Sequence, residues 1–254
     1  MKNKVRQILS VVLYPAVIIA IAIAIWEISA ISAGSEFVFP SIESTFNAFI
    51  RLLGEKQTYL ALGGTVARTL FAFFVSVISA HALAILCALC NPLKKLLLPI
   101  VNALRALPTM AVTLVFAIWA GARLAPVIVS LLVIMPTAFV AYAESIDGID
   151  RDILSMAKID GANKATIAFR FLLPLSALSS RKSISATLSL TVKLMVASET
   201  LAGTARSLGQ SMMISSIYFE TASLMALTVL TVILSLALQF VLYRLLILLT
   251  YKID

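Results

Sequence analysis

The sequence predicts an all-α integral membrane protein of six transmembrane helices, and three observations predict it. Of the 254 residues, 61% are hydrophobic and only 13% are charged, with a mean hydropathy of +1.05; soluble domains are about 45–50% apolar. A protein core cannot absorb that excess, so lipid must. Several apolar runs reach the length that a helix needs to cross a hydrocarbon layer of ~30 Å, roughly 20 residues. The charges are also gathered: residues 144–182 hold Glu144, Asp147, Asp150, Arg151, Asp152, Lys158, Asp160, Lys164, Arg170, Arg181 and Lys182. One membrane domain over 1–254 accounts for the chain.

Taken in order, the first span is expected over 9–31, with Trp26 and Glu27 near its far end, where an aromatic ring and a solvated carboxylate are tolerated. Its apolar run lacks a small-residue cleavage site, so it is read as a span and not as a signal peptide. Ile42, Phe46, Phe49, Ile50 and Leu53 after Pro40-Ser41 mark a short amphipathic helix capped by Ser41, too polar to span. The second span covers 65–90 and is ended by Asn91-Pro92. The third, 97–120, contains Arg105 and Pro108 and should be kinked or interrupted. The fourth covers 125–143, the fifth 184–202 and the sixth 222–249. A short helix is expected from Leu208 to Tyr218.

Six spans put both termini on one side. With the N-terminus inside, the inner segments hold fourteen Lys and Arg, the outer ones five (Arg51, Lys56, Arg68, Arg123 and Arg206), and Lys193 is intramembrane. Lys and Arg mark cytoplasmic loops. The charged segment 144–182, between spans four and five, is therefore placed in the cytoplasm. The net charge of +8 is this retention signal rather than a nucleic-acid surface, since no basic cluster is interleaved with aromatics.

Enzyme chemistry finds little support. The chain has no phosphate-binding Gly-x-x-x-x-Gly-Lys-Ser/Thr loop, no Gly-x-Ser-x-Gly elbow and no His-Glu-x-x-His pair. Its single histidine, His81, suits a hydrogen bond between helices. Cys87 and Cys90 share a helix face, and no further zinc ligands lie nearby. No metal site is expected.

The charged segment has an architecture of its own. Asp150 or Asp152 can cap a short helix, Gly161 can end it, Asn163 can cap a second helix running toward Leu173, and Pro174 opens the next element. Two short helices meeting at Gly161-Ala162 form a knob suited to a groove on another protein. In the fifth span, Lys193 and Glu199 lie about 120° apart around the helix. Either faces a solute path, as costly intramembrane charges often do, or Lys193 reaches helix carbonyls and Glu199 locks helix packing. Arg105 is a third candidate for the path.

Ser155, Met156 and Ala157, then Gly161, then Phe171, Leu173 and Pro174 resemble the coupling-loop signature of permease subunits of binding-protein-dependent ABC importers. That signature is Glu-Ala-Ala, three residues, Gly, nine residues and Ile-x-Leu-Pro; here Ser155 stands in place of the glutamate. Phe39-Pro40-Ser41, Arg68, the stretch from Arg105-Ala106-Leu107-Pro108 to Trp119-Ala120-Gly121, Ala197-Ser198-Glu199-Thr200-Leu201 and Ser207-Leu208-Gly209 resemble motifs of its nitrate, sulfonate and taurine branch.

The resemblance implies the type I importer permease fold in a prokaryotic inner membrane. It implies two ABC ATPase subunits docking on Ser155, Met156, Ala157, Lys158, Asp160, Gly161, Ala162, Phe171 and Pro174. It further implies a second permease copy in a homodimer and an extracytoplasmic solute-binding protein. ATP and magnesium would be held by the ATPase, leaving this chain without a cofactor. A small anion (sulfonate, taurine or nitrate) or a vitamin or pyrimidine precursor is the expected solute. The competing class is a self-contained secondary transporter or channel, which needs intramembrane coupling carboxylates or internal repeats.

Overall fold

Hydrocarbon offers no partner for a backbone N–H or C=O, so spanning segments must satisfy their own. The computed structural model describes residues 2–250, and for residues 2–12, Pro15, Arg151, Lys158 and Thr250 the backbone alone; Lys252 lies outside the described residues. The described chain is helical throughout, without a strand. In order come α1 (Lys2–Ala33), α2 (Ile42–Gly54), α3 (Lys56–Leu89), α4 (Asn91–Arg105), α5 (Thr109–Trp119), α6 (Ala125–Asp147) and α7 (Arg151–Ile159). They are followed by α8 (Lys164–Thr166), a π-helical turn (Ile167–Leu172), α9 (Leu173–Ala202), α10 (Leu208–Ile217) and α11 (Thr221–Thr250).

Five helices are long and apolar enough to cross a membrane, and α4 with α5 makes a sixth if the pair is one broken span. The two halves of that pair meet at 91°. Leu107-Pro108 breaks the backbone ladder because proline has no N–H and disfavours helix in the residue before it. The sharp turn leaves Arg105 exposed at the end of α4.

Apolar helices gain nothing from leaving lipid for one another unless they pack closely, which small residues permit. On α3 the buried positions Ala61, Thr65, Thr69, Ala72, Ser76, Ala80, Ala84 and Cys87 form one such ridge at helical spacing. It lies against α6 and α9, whose buried Phe139, Tyr142, Ile184 and Leu188 join Phe73 in the main core. His81 binds these three helices together: its ring stacks on Tyr142 at 3.9 Å with planes 1° apart, and its Nε2 lies 2.8 Å from Ser176 Oγ on α9. Cys87 is buried and Cys90 exposed, both as free thiols.

Helix α2 starts as the sequence indicates, with the Ser44 N–H donating to Ser41 Oγ at 3.1 Å. Trp26 Nε1 donates to the Pro40 carbonyl at 3.0 Å, tying the end of α1 to the turn before α2. Elsewhere α1 stands off the bundle, with none of residues 16–33 buried. Two helices run well beyond their apolar cores: α3 begins nine residues before the expected span, and an unbroken helical path leads from Lys164 to Ala202. Hydropathy marks where lipid begins, whereas the hydrogen-bond ladder continues into the polar flank.

Phe139, 1% exposed, fills the interface of the three core helices. Phe139→Ala should cost about 3–5 kcal/mol through the cavity it opens, read as a lowered unfolding temperature in detergent; an unchanged temperature would show that α3, α6 and α9 do not depend on this packing.

Candidate functional site

The candidate features lie at the two ends of the rod formed by α8, the π turn and α9. One end is identified by Lys94, at the start of α4, whose Nζ lies 2.9 Å from both carboxylate oxygens of Asp147 at the end of α6. The other is identified by Glu199, near the end of α9, paired with Arg68 in the first half of α3.

At the first end, α7 forms the knob. Asp150 caps it by accepting the Asp152 N–H at 2.9 Å. The chain then turns through Gly161 at φ +81°, a left-handed conformation that side chains disfavour. The Ala162 N–H reaches back to the Ala157 carbonyl at 2.9 Å, the long-range bond of a Schellman stop. Asn163 Oδ1 accepts the Thr166 N–H at 2.8 Å and so starts the next helix. That second helix does not end at Leu173: the π turn carries it into α9, and Pro174, which has no N–H to give the ladder, sits at the start of α9 directly after the widened turn. The latter part of segment 144–182 is thus the start of the rod, not a loop before it.

The knob has two faces. Ala157 is buried, while Ile153, Met156 and Ile159 are 40%, 63% and 85% exposed. Ser155 and Asp160 are exposed beside them, and Ala162, Phe171 and Pro174 are half-buried; the Lys158 side chain lies outside what the structure describes. Clustered apolar side chains among charges, on a surface outside the apolar spans, are the composition of a docking face.

The opposite end is a lock. Glu199 is fully buried, and each of its carboxylate oxygens is engaged. Arg68 Nε donates to Oε1 at 2.7 Å, and Thr65 Oγ1 donates to Oε2 at 2.8 Å. The backbone of Gly209 packs directly against Glu199, where a Cβ would lie 2.5 Å from the Glu199 Cβ. Thr65 Oγ1 in turn accepts the Leu208 N–H at 3.0 Å, and Arg68 Nη2 donates to the Arg206 carbonyl at 3.1 Å.

Two glycines permit this closeness. A Cβ on Gly209 would lie 2.4 Å from the Thr200 nitrogen, and one on Gly64 would lie 2.3 Å from the Arg206 oxygen. Arg206 itself takes a left-handed backbone, φ 53°, held by its N–H to Gln210 Oε1 at 2.9 Å. Of the two roles considered for Glu199, this geometry is that of a helix lock.

Lys193 lies apart from the lock. It is exposed, in a stripe of α9 with Ala186, Leu190, Ala197 and Leu201 that the rest of the chain leaves uncovered. Arg105, at the bend after α4, is exposed too. The structure therefore does not bring Lys193 and Glu199 to one site. The pairing of Glu199 with Thr65 and Arg68 was not read from the sequence. Its signal was there: a carboxylate at membrane depth needs a cation, and Arg68 sits at the end of its span that faces the same side. Among the described residues, no group of three His, Cys, Asp or Glu side chains is placed to hold a metal ion.

A family model described as "Binding-protein-dependent transport system inner membrane component" matches residues 80–253. No curated protein matches the sequence. Solved structures share the fold. A chain of the MetNI methionine ABC transporter, in inward-facing conformations, is 18% identical with a TM-score of 0.60, over 74% of this chain and 92% of that one. A chain of a bacterial alginate ABC transporter, solved with an alginate pentasaccharide-bound periplasmic protein, is 14% identical with a TM-score of 0.61, over 95% and 94%. A second structure of a bacterial alginate importer gives 13% identity and a TM-score of 0.60, over 96% and 98%.

Removing one member of a buried ion pair leaves the other charge unpaired, a loss of about 3–5 kcal/mol, whereas replacing both by apolar groups is often neutral. Arg68→Met should therefore lower thermal stability in detergent sharply, and Arg68→Met combined with Glu199→Leu should recover most of it. A single variant that unfolds like the wild type would remove the lock from the account.

Proposed function

Because the chain belongs to the family of inner membrane components of binding-protein-dependent transport systems, the permease subunits of ABC importers, we propose that it forms the solute path of a homodimer driven by two separate ATPase subunits. An extracytoplasmic binding protein delivers the solute. Both termini and the α7 corner face the cytoplasm, as the distribution of Lys and Arg supports. The motifs resemble those of the nitrate, sulfonate and taurine branch, so the solute proposed is a small anion, with a vitamin or pyrimidine precursor as the other candidate.

The observation that carries this reading is the unbroken helical path of 39 residues from Lys164 to Ala202, about 58 Å long. It starts at the α7 corner and ends at the Arg68–Glu199 lock. A docking face that moves as a rigid body can shift such a rod as a whole. Alternating access then follows from tilting the rod against α3 and α6. Ser155, in place of the family's glutamate, leaves the contact to the apolar face of Met156 and Ile159, aided by Asp160. A homodimer would also give α1 a protein neighbour.

Within the path, the exposed α9 stripe is the wall we assign to the solute, with Lys193 as its cation and Arg105 as a second. An ammonium at membrane depth is stable only if it meets water or an anion.

Deleting residues 155–161 should leave the protein inserted in the membrane but abolish its co-purification with the ATPase. A complex that survived the deletion, or uptake by the purified chain driven by an ion gradient without ATP, would overturn the coupling role. Lys193→Met should cut uptake of an anionic solute at least about tenfold, about 1.4 kcal/mol or more of lost stabilisation, without loss of assembly. Unchanged rate and solute preference would remove Lys193 from the path.

A further inference from the structure

Two cavities lie side by side at the Lys94–Asp147 end of the bundle. One, of 640 Å³, lies between α3 and the start of the rod; apart from His81 and Lys164 its lining is apolar, with Ile78, Ile85 and Phe169 among its walls. The other, of 580 Å³, lies under the knob, where Leu154 of α7 faces Lys94, Asp147 and Lys164. Leu89 and Lys164 line both. The two cavities therefore adjoin across Leu89 and Lys164, a greasy arm beside a charged one with a lysine between them.

We infer that this space binds one anionic phospholipid of the cytoplasmic leaflet, with an acyl chain in the apolar arm and the phosphate at Lys164. The inference rests on the cytoplasmic placement of the α7 end. Three features select this occupant. The apolar arm follows α3 from Ile78 to Leu89, a rise of about 16 Å, which is one leaflet of a ~30 Å hydrocarbon layer.

The polar groups of that arm are already engaged, since His81 is held by Ser176 and Tyr142. A chain lying there therefore meets no unmet donor. In the charged arm, Asp147 is neutralised by Lys94, so Lys164 supplies the net positive charge that a phosphate seeks. Volumes of this order suit small ligands, about 300–1,000 Å³. A lipid seated here would touch Leu154 of the knob and Lys164 of the rod together, and so stiffen the joint between docking face and lever.

The test is native mass spectrometry of the full chain in a non-ionic detergent, supplied with equal phosphatidylglycerol and phosphatidylcholine. Wild type should retain one lipid per chain, with phosphatidylglycerol preferred about fivefold, the preference that one lysine near an anionic headgroup gives. Lys164→Gln should bring the two lipids to parity. Ala82→Phe, at an exposed position on the wall of the apolar arm, should expel the lipid while leaving thermal unfolding in detergent unchanged.

No retained lipid, as when a helix of a second copy fills the space, would overturn the proposal. So would equal retention of both lipids by the wild type, or a lipid kept by Ala82→Phe. Sidedness is read apart from binding: exposed Cys90, on the same end, should react with an impermeant maleimide only after spheroplasts are lysed. Reaction in intact spheroplasts would overturn the assigned leaflet and the cytoplasmic reading together, leaving the binding result to stand or fall alone.

Discussion

A carboxylate inside an apolar bundle has to be paired or it will not stay, and Glu199 meets that demand with Arg68 and Thr65. The rest of the structure depends on this cluster because its members come from three different places in the chain. Thr65 and Arg68 bring one end of α3 to α9, while Leu208 and Gly209 bring the loop and α10 over them. Without that closure, this end of α9 would lose its ion pair and rely mainly on van der Waals packing, which is weak between helices that lipid solvates equally well.

The opposite end is built on different physics. It is polar, its ion pair Lys94–Asp147 lies near the surface rather than buried, and caps shape the corner: Asp150 opens α7, Gly161 turns the chain, and Asn163 restarts the helix. These local devices make α7 a stiff projection, while Ala157 and Leu154 seat it on the body. The π turn Ile167–Leu172 then passes the helix into α9. There the Leu173 N–H reaches the Ala168 carbonyl five residues back, and the widened turn re-aims the rod without breaking it. The same helix is thus anchored by charge at one end and by capping geometry at the other.

Much of this was legible beforehand. Ser41, Asn163 and Gly161 declared their caps and their corner because capping is a contest among neighbours a few residues apart. Pro108 declared the interruption of the third apolar run, for the same reason. For Glu199 the sequence signalled only that a cation on the same side was needed; that Arg68 and Thr65 meet it was not legible, since Arg68 is 131 residues away and no periodicity encodes which face of α3 turns to α9. Nor was the continuity from Lys164 through Pro174, because a proline in the first turn of a helix and a proline that ends one look alike without the backbone.

By itself, then, the sequence determined the membrane class, the number of apolar runs and the position of the charged corner, all of which follow from local composition and short-range hydrogen bonding. Only the tertiary structure decided that Glu199 is locked while Lys193 is left on an open stripe, and that α4 and α5 turn at 91°. The lock and the open stripe depend on which small residues let two helices approach, a matter of three-dimensional packing across more than a hundred residues of chain, whereas Pro108 marks the place of the bend but not its angle.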